Sequence, residues 1–384
     1  MFTAKIIFWA SLFIIIYTYF GYITLSFVLG KLFGKKVKKK EIYPAISIIV
    51  ACYNEESIIR QKLENLLSLE YPSDKLQIMI ASESIDNTNG IVSEYRDRGI
   101  ELYAFEGRHG KTTLLYNVVP KARNEILVFS DANAIFEKDV LKKIAANFAE
   151  ERIGAVTGLL QISNPKASSI SWGEYMYKKY EMALRKSNSA LRRVLNPDGS
   201  IFAIRKELYN PINPERGDDF ELVIRTLING YDSVFEPEAI SHEEASISTK
   251  AETARKIRMI SWFLKSTAIL LKEMLLKLRF DLIFQIVSHK IFRWFTPFFF
   301  LIFFISNIFV WKDDLFYKLF LITQIAGYLM GILGLYISGR QKKKPPLLLG
   351  AMQYFLMYNY AFMIGILAGL IPDKASHKWE KVRP

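Results

Sequence analysis

Cysteine and histidine are scarce in this chain, and their scarcity removes two kinds of protein at the outset. Cys52 is the only cysteine in 384 residues, which excludes an intrachain disulfide framework and a thiolate metal cluster. His109, His242, His289 and His377 are scattered, with no HExxH or HxxxH pair, so a zinc enzyme is not expected. Charge is also low, at 23% against 51% hydrophobic and 14% aromatic residues. A disordered or linker-dominated chain has the opposite balance. No internal repeat or low-complexity tract is present, and the length suits about two to three domains.

The apolar residues concentrate near the two ends of the chain, around a stretch of ordinary globular composition. Residues 6–30 carry no charge. That length crosses a hydrocarbon core of about 30 Å and exceeds a signal-peptide apolar region. Residues 294–311, 315–338 and 347–371 are three further candidate spans.

The formal charge is +13, from 51 Lys+Arg and 38 Asp+Glu. Its lysines sit beside apolar runs: Lys31, Lys35, Lys36, Lys38, Lys39 and Lys40 after the first, and Lys342, Lys343 and Lys344 between the last two. This is the positive-inside pattern, with anionic headgroups as counter-charge. Nucleic-acid binding is not expected, because no recognition motif accompanies the charge. The lysine asymmetry puts the N-terminus outside, residues 31–293 in the cytosol, and the acidic turn Lys312-Asp313-Asp314 outside. The tail, with Lys374, Lys378, Lys381 and Arg383, then falls outside against a mild charge bias; the other arrangement is a re-entrant last segment. In residues 253–290, apolar positions recur at helical spacing with lysines interleaved. This fits helices in the headgroup plane, or an amphipathic helix packed on the soluble part. The expected division is residues 1–40 as anchor and basic stop, 41–250 soluble, 251–293 interface helices, 294–371 three spans, and 372–384 tail.

Within residues 41–250, β-branched runs alternate with helical stripes. Strands are expected at 45–50, 77–81, 100–105 and 125–130, which argues βαβ units and a parallel sheet. Ligands of such sheets lie beyond the carboxyl ends of the strands. Those ends carry Asn54-Glu55-Glu56, then Glu83 and Asp86, then Asp131 and Asn133. An acidic rim receives phosphates only through a cation, and hard oxygen ligands suit Mg²⁺ or Mn²⁺. The bland reading of Asp131 and Asn133 is a turn whose side chains bond local backbone. Asp218 and Asp219, at the mouth of a helical stripe, read either as helix-capping groups or as a carboxylate that accepts a proton from a nucleophile. Cys52 reads as a small filler, and the aromatics of 172–180 as packing.

Several pieces occur in order: Ile48 to Glu56; Ser82-Glu83-Ser84-Ile85-Asp86-Asn87-Thr88; Gly110-Lys111 with Asn117; Phe129-Ser130-Asp131-Ala132-Asn133; Gly199 to Arg205; Asp218-Asp219 with Gly230-Tyr231; and Glu236-Pro237-Glu238-Ala239. This series resembles the membrane-bound glycosyltransferases of family 2, the GT-A-fold group that includes cellulose, hyaluronan and poly-N-acetylglucosamine synthases. The resemblance covers about residues 41–300. It implies a cytosolic α/β domain of the GT-A type, Rossmann-like, with N- and C-terminal transmembrane helices. It also implies that Asp131 and Asn133 hold the metal and meet the sugar-nucleotide diphosphate. Tyr53, Glu55 and Glu83 would contact base and ribose, Lys111 would lie near the nucleotide, and Arg258 would reach the diphosphate. Asp219 would be the catalytic base, with Asp218 before it.

Three departures from the family pattern stand out. The D-G-S-x-D turn reads Ser82-Glu83-Ser84-Ile85-Asp86, so either Glu83 or Asp86 can be its acid. The second D-x-D position is the neutral Asn133. The polymerases' Q-x-x-R-W reads Arg255-Lys256-Ile257-Arg258-Met259, which keeps the arginine and loses the tryptophan, with Trp262 three residues on. The expectation is an inverting, Mg²⁺- or Mn²⁺-dependent glycosyltransferase of the cell membrane. It would move a sugar from a nucleoside-diphosphate donor, UDP being the expected nucleotide, to a lipid-linked or glycan acceptor on the cytosolic face. The alternatives are a processive synthase that extrudes its polymer and, more remotely, a non-catalytic scaffold.

Overall fold

The computed structural model describes residues 2–210, 216, 218–340 and 344–371, without the side chain of Asp218. The basic-turn residues Lys342 and Lys343, the tail lysines with Arg383, and His377 lie outside the described residues, as does any role of the Asp218 carboxylate.

Among the described residues eight strands make one sheet: β1 (Ile46–Cys52), β2 (Leu76–Ser82), β3 (Ile100–Ala104), β4 (Ile126–Asp131), β5 (Ile135–Phe136), β6 (Ile153–Ile162), β7 (Phe202–Arg205) and β8 (Asp232–Glu243). Their order is β3-β2-β1-β4-β7-β6-β8-β5. The first four are parallel, while β7 runs antiparallel between β4 and β6. The four strands expected from the sequence are the parallel half. The other half comes from residues whose apolar pattern is less regular.

Alternate residues of β1 face opposite cores. Ile48 and Val50 pack with Leu63, Leu66 and Ile144, from α3 (Ile59–Leu67) and α6 (Val140–Asn147). Ile49 packs with Leu114, Leu115, Leu222 and Val223, from α5 (Lys111–Val118) and α8 (Asp218–Ile228). A strand buried on both faces reads as a continuous apolar run. That is why β1 was legible. The short α4 (Thr88–Ser93) follows β2, and the long α7 (Ser169–Ala190) joins β6 to β7.

Among the described residues four helices are long and apolar enough to cross a membrane: Phe2–Phe33, Phe280–Val310, Leu315–Arg340 and Leu347–Leu370. The first joins α1 (Phe2–Ile16) to α2 (Tyr22–Phe33) through a π-helical turn, and the second joins α10 (Phe280–Ile286) to α11 (Phe292–Val310) in the same way. The last two are α12 and α13. The second of these helices starts well before residue 294. Lys290 and Arg293 do not mark a polar boundary, because both are buried and turned toward Glu181. Lys5 pairs with Asp313 at 2.9 Å, so the N-terminal end and the turn before α12 share one end of the helices. At the other end the Lys35 N–H donates to the Ala190 carbonyl and Lys344 to the Lys166 carbonyl, on the side of the sheet.

Helix α9 (Thr249–Leu276) ties the two parts together. Ser248 caps it by accepting from the Ala251 N–H at 3.3 Å, as an N-cap serine does. One face buries Ile260, Leu270 and Met274 with Phe362 and Ile366 of α13, while Ile269, Leu275 and Leu276 stay exposed.

Candidate active site

The carboxyl ends of β1, β4 and β8 open into a cavity of about 820 Å³. Its walls include Glu55, Lys111, Asp131 and Asn133 at the sheet, Gly199 and Asp219 from the following segments, and Arg258, Met259 and Trp262 from α9. It continues to Lys290, Arg293 and Trp294 on the second apolar helix and to Tyr358 and Phe362 of α13. One space therefore joins the sheet's ligand edge to helices of membrane-crossing length.

At the sheet, Lys111 heads α5 and reaches Asp131 at the end of β4, 2.7 Å from Nζ to Oδ1. Gly110 before it has φ of +88°, a conformation that glycine adopts without steric cost. Asn133 donates from Nδ2 to Glu243 Oε1 at 2.8 Å. The donor set fits a hard divalent ion: a carboxylate from Asp131 and an amide oxygen from Asn133, the amide nitrogen being tied to Glu243. Among the described residues no three His, Cys, Asp or Glu side chains converge on a protein-only metal site. The arrangement suits an ion completed by phosphate oxygens, as Mg²⁺ commonly is.

The turn bearing Asp131 and Asn133 rests on Lys62. This lysine has no exposed surface, donates to Ser130 Oγ at 2.7 Å and to the Ala134 carbonyl, and lies 4.2 Å from the Phe136 ring centroid. Burial pulls its pKa down to about 7, with Asp131 and Cys52 opposing. The unfolded chain holds this proton up to about 10.5. Between pH 7 and about 10 the unfolded state therefore binds more protons, and stability rises with pH. Thermal unfolding of the parent should show this rise, by on the order of 1 kcal/mol per pH unit for one proton, and Lys62→Met should flatten it. An unchanged slope in the variant would show that Lys62 stays charged in the fold.

Asp219 sits at the start of α8 and accepts from the Phe220 N–H at 2.8 Å through Oδ1. A methyl on Gly199 would come within 2.8 Å of its Oδ2, so the glycine makes room for this carboxylate. On the third wall, the Arg258 guanidinium lies 5.6 Å from the Trp262 ring, and the indole Nε1 of Trp262 is buried without a hydrogen-bond partner. Met259 lies beside it in the wall.

Six of the residues singled out in the sequence meet here: Glu55, Lys111, Asp131, Asn133, Asp219 and Arg258. Two do not. Glu83, expected at base and ribose, is 1% exposed. Its carboxylate accepts the backbone N–H groups of His109 and Gly110, the latter at 3.0 Å. Glu83 thus shapes the Gly110 turn, and it is not among the residues that line the cavity. Tyr53 lies under the Arg108 guanidinium at 4.3 Å, likewise outside the lining. Asp86 accepts from the Thr88 N–H at 3.0 Å and the Glu56 N–H at 3.3 Å. Sequence reasoning missed Glu243 and the charged residues of α7, because strand ends and helix faces far apart in the chain bring them in.

A mixed sheet of four parallel strands continued through the antiparallel β7 to the parallel pair β6 and β8, with an Asp-x-Asn turn at the end of β4, defines a GT-A-type nucleotide-diphospho-sugar transferase. The sequence model described as "Glycosyltransferase like family 2" matches residues 44–263, and the chain belongs to that family of enzymes. It is 26% identical over 58% of its length to a beta-monoglucosyldiacylglycerol synthase of Trichormus variabilis, spanning 50% of that protein. It is 27% identical over 51% of its length to the poly-beta-1,6-N-acetyl-D-glucosamine synthase of Staphylococcus epidermidis, spanning 48% of it. The chain thus spans about half the length of these relatives. The solved structure of a Pyrobaculum calidifontis mannosyltransferase with GDP-Man and Mn²⁺ superposes with a TM-score of 0.71 at 18% identity, over 96% of this chain and 100% of that one. That likeness bears on the fold, including the helices of membrane-crossing length.

Proposed function

We propose that this glycosyltransferase is an inverting, divalent-metal-dependent enzyme of the cell membrane. It moves a sugar from a nucleoside diphosphate, UDP, to a lipid-linked acceptor at the cytosolic membrane face. The observation that carries this reading is the continuity of the cavity: Asp131 and Lys111 lie at one end, Asp219 in its wall, and side chains of the apolar helices at the other end.

The residues divide the work by chemistry. Asp131 and Asn133 would hold Mg²⁺ or Mn²⁺, which would supply positive charge to the departing diphosphate. Lys111 and Arg258 add cations on the same side, the guanidinium in a form that grips two phosphate oxygens. Asp219 takes the proton of the acceptor hydroxyl as its oxygen attacks the anomeric carbon, and the bond from that carbon to the diphosphate breaks. Glu55 lies at the nucleotide end.

A processive reading has its own support in Trp262, whose flat ring and unpaired N–H line the cavity where Met259 offers no stacking face. Product sizes from purified protein, with excess donor and limiting acceptor, separate the two readings. Addition of one or a few sugars is expected, with Met259→Trp lengthening the products. Long polymer that collapses to short products in Trp262→Ala would establish the processive reading.

A further inference from the structure

Below Asp219 the cavity wall carries more positive than negative charge. Lys178 and Arg185 of α7 share Asp198, at 2.8 and 3.2 Å. Lys290 and Arg293 share Glu181, the lysine at 3.8 Å and the arginine in direct contact. All six residues line the cavity, and all but the partly covered Lys178 are nine-tenths or more buried. Four cations thus face two carboxylates. Asp219 adds a third carboxylate, with which Lys290 interacts electrostatically. The neighbouring set of Arg255, Lys256, Glu174 and Glu252 is balanced within itself.

Buried surplus charge is costly, and an ionisable residue on a helix of membrane-crossing length marks function unless it is fully paired. Here the pairing is incomplete. Arg293 Nη1 is buried without a hydrogen-bond partner, and the carboxylate nearest the Lys290 ammonium is beyond hydrogen-bond distance. The π-helical turn Val287–Ile291 buries Ser288, His289 and Lys290 in succession. The matching turn of the first helix meets it through Tyr17 Oη donating to Ser288 Oγ at 2.9 Å. Such turns are frequent at functional sites. The aromatics Trp294, Tyr358 and Phe362 continue the wall beyond the cations.

We infer that the acceptor is a lipid with a net anionic phosphate headgroup, held by Lys290 and Arg293 with Lys178 and Arg185 behind them, so that its attacking oxygen meets the anomeric carbon beside Asp219. This rests on the transfer reading above. It deepens that reading by naming the charge of the acceptor, which neither a neutral diglyceride nor a glycan chain carries. The donor's own diphosphate has Lys111 and Arg258 at the sheet and α9. In the reaction the acceptor oxygen bonds to the anomeric carbon, the bond from that carbon to the diphosphate breaks, and the nucleoside diphosphate leaves with the electron pair. A hydroxyl on the headgroup gives its proton to Asp219, whereas a terminal phosphate oxygen attacks without one.

The test uses full-length protein in nanodiscs of neutral phosphatidylcholine doped with polyprenyl phosphate, phosphatidylinositol or dioleoylglycerol, with radiolabelled donor. Label should enter a lipid that binds anion-exchange resin. Release of the label by mild acid identifies a sugar on phosphate, and resistance identifies a sugar on a hydroxyl. Lys290→Gln should raise the acceptor KM by about ten- to a hundredfold, the scale of a lost charged hydrogen bond, and the donor KM far less. Preference for dioleoylglycerol, or an acceptor KM untouched by Lys290→Gln, overturns the inference and leaves the transfer reading standing. Binding is measured separately by native mass spectrometry of the purified protein with each doped lipid. If no donor is turned over, retention of the two phosphate lipids above dioleoylglycerol, lost in Lys290→Gln, keeps the anion site while the transfer reading fails. Equal retention of all three removes it. The same comparison with Arg293→Lys, which keeps the charge, guards against misfolding of the glutamine variant.

Discussion

With a hydroxyl acceptor, Asp219→Asn should bind the nucleotide-sugar donor nearly as the parent does and turn it over on the order of 10²–10⁴-fold more slowly. The asparagine keeps the shape of the side chain and can still accept the Phe220 N–H. It loses the ability to take a proton, and that proton moves only in the transition state. The effect should therefore fall on kcat and spare donor affinity. Gly199 adds a control, because alanine there would press on the same carboxylate and should slow turnover without altering charge. Asp218→Asn is the companion measurement. If it abolishes turnover while Asp219→Asn does not, the base is the neighbouring residue. If both variants stay active, the pair only caps α8.

The second large effect is expected at the donor. Exhaustive chelation with EDTA should abolish turnover, and Mn²⁺ or Mg²⁺ should restore it. An acidic turn holds a diphosphate only when a cation lies between them. Asp131→Ala should weaken donor binding in a metal-dependent way. Lys111, left without its 2.7 Å carboxylate partner, would still attract phosphate but lacks a divalent ion's charge. Full activity after chelation, or an Asp131→Ala variant with parental donor affinity, would remove the metal from the account.

How much of this could be read in the sequence follows from what is local. The parallel strands announced themselves because burial on both faces makes continuous apolar runs, and Asp131 and Asn133 stood at the end of one of them. The mixed half did not, since β6 and β8 pair with register shifts that break their pattern. Motif order says nothing about the direction of the Glu83 side chain, whose carboxylate accepts from the backbone of the Gly110 turn. The cations under Asp219 were invisible for another reason. Glu181 and Arg293 are 112 residues apart, and only the fold places α7 beside the second apolar helix. That same pairing hid the start of the second apolar helix at Phe280.

The most direct measurement is the anomeric configuration of the transferred sugar. Purified protein in nanodiscs, given a UDP-sugar of known α-configuration with its metal and acceptor, should release one UDP for each sugar moved. Proton NMR of the product should show the β-linkage, as a single displacement assisted by Asp219 requires. An α-linked product would contradict that account of the cavity, because retention demands a second displacement or a front-side path. UDP release with no sugar transferred would contradict it equally.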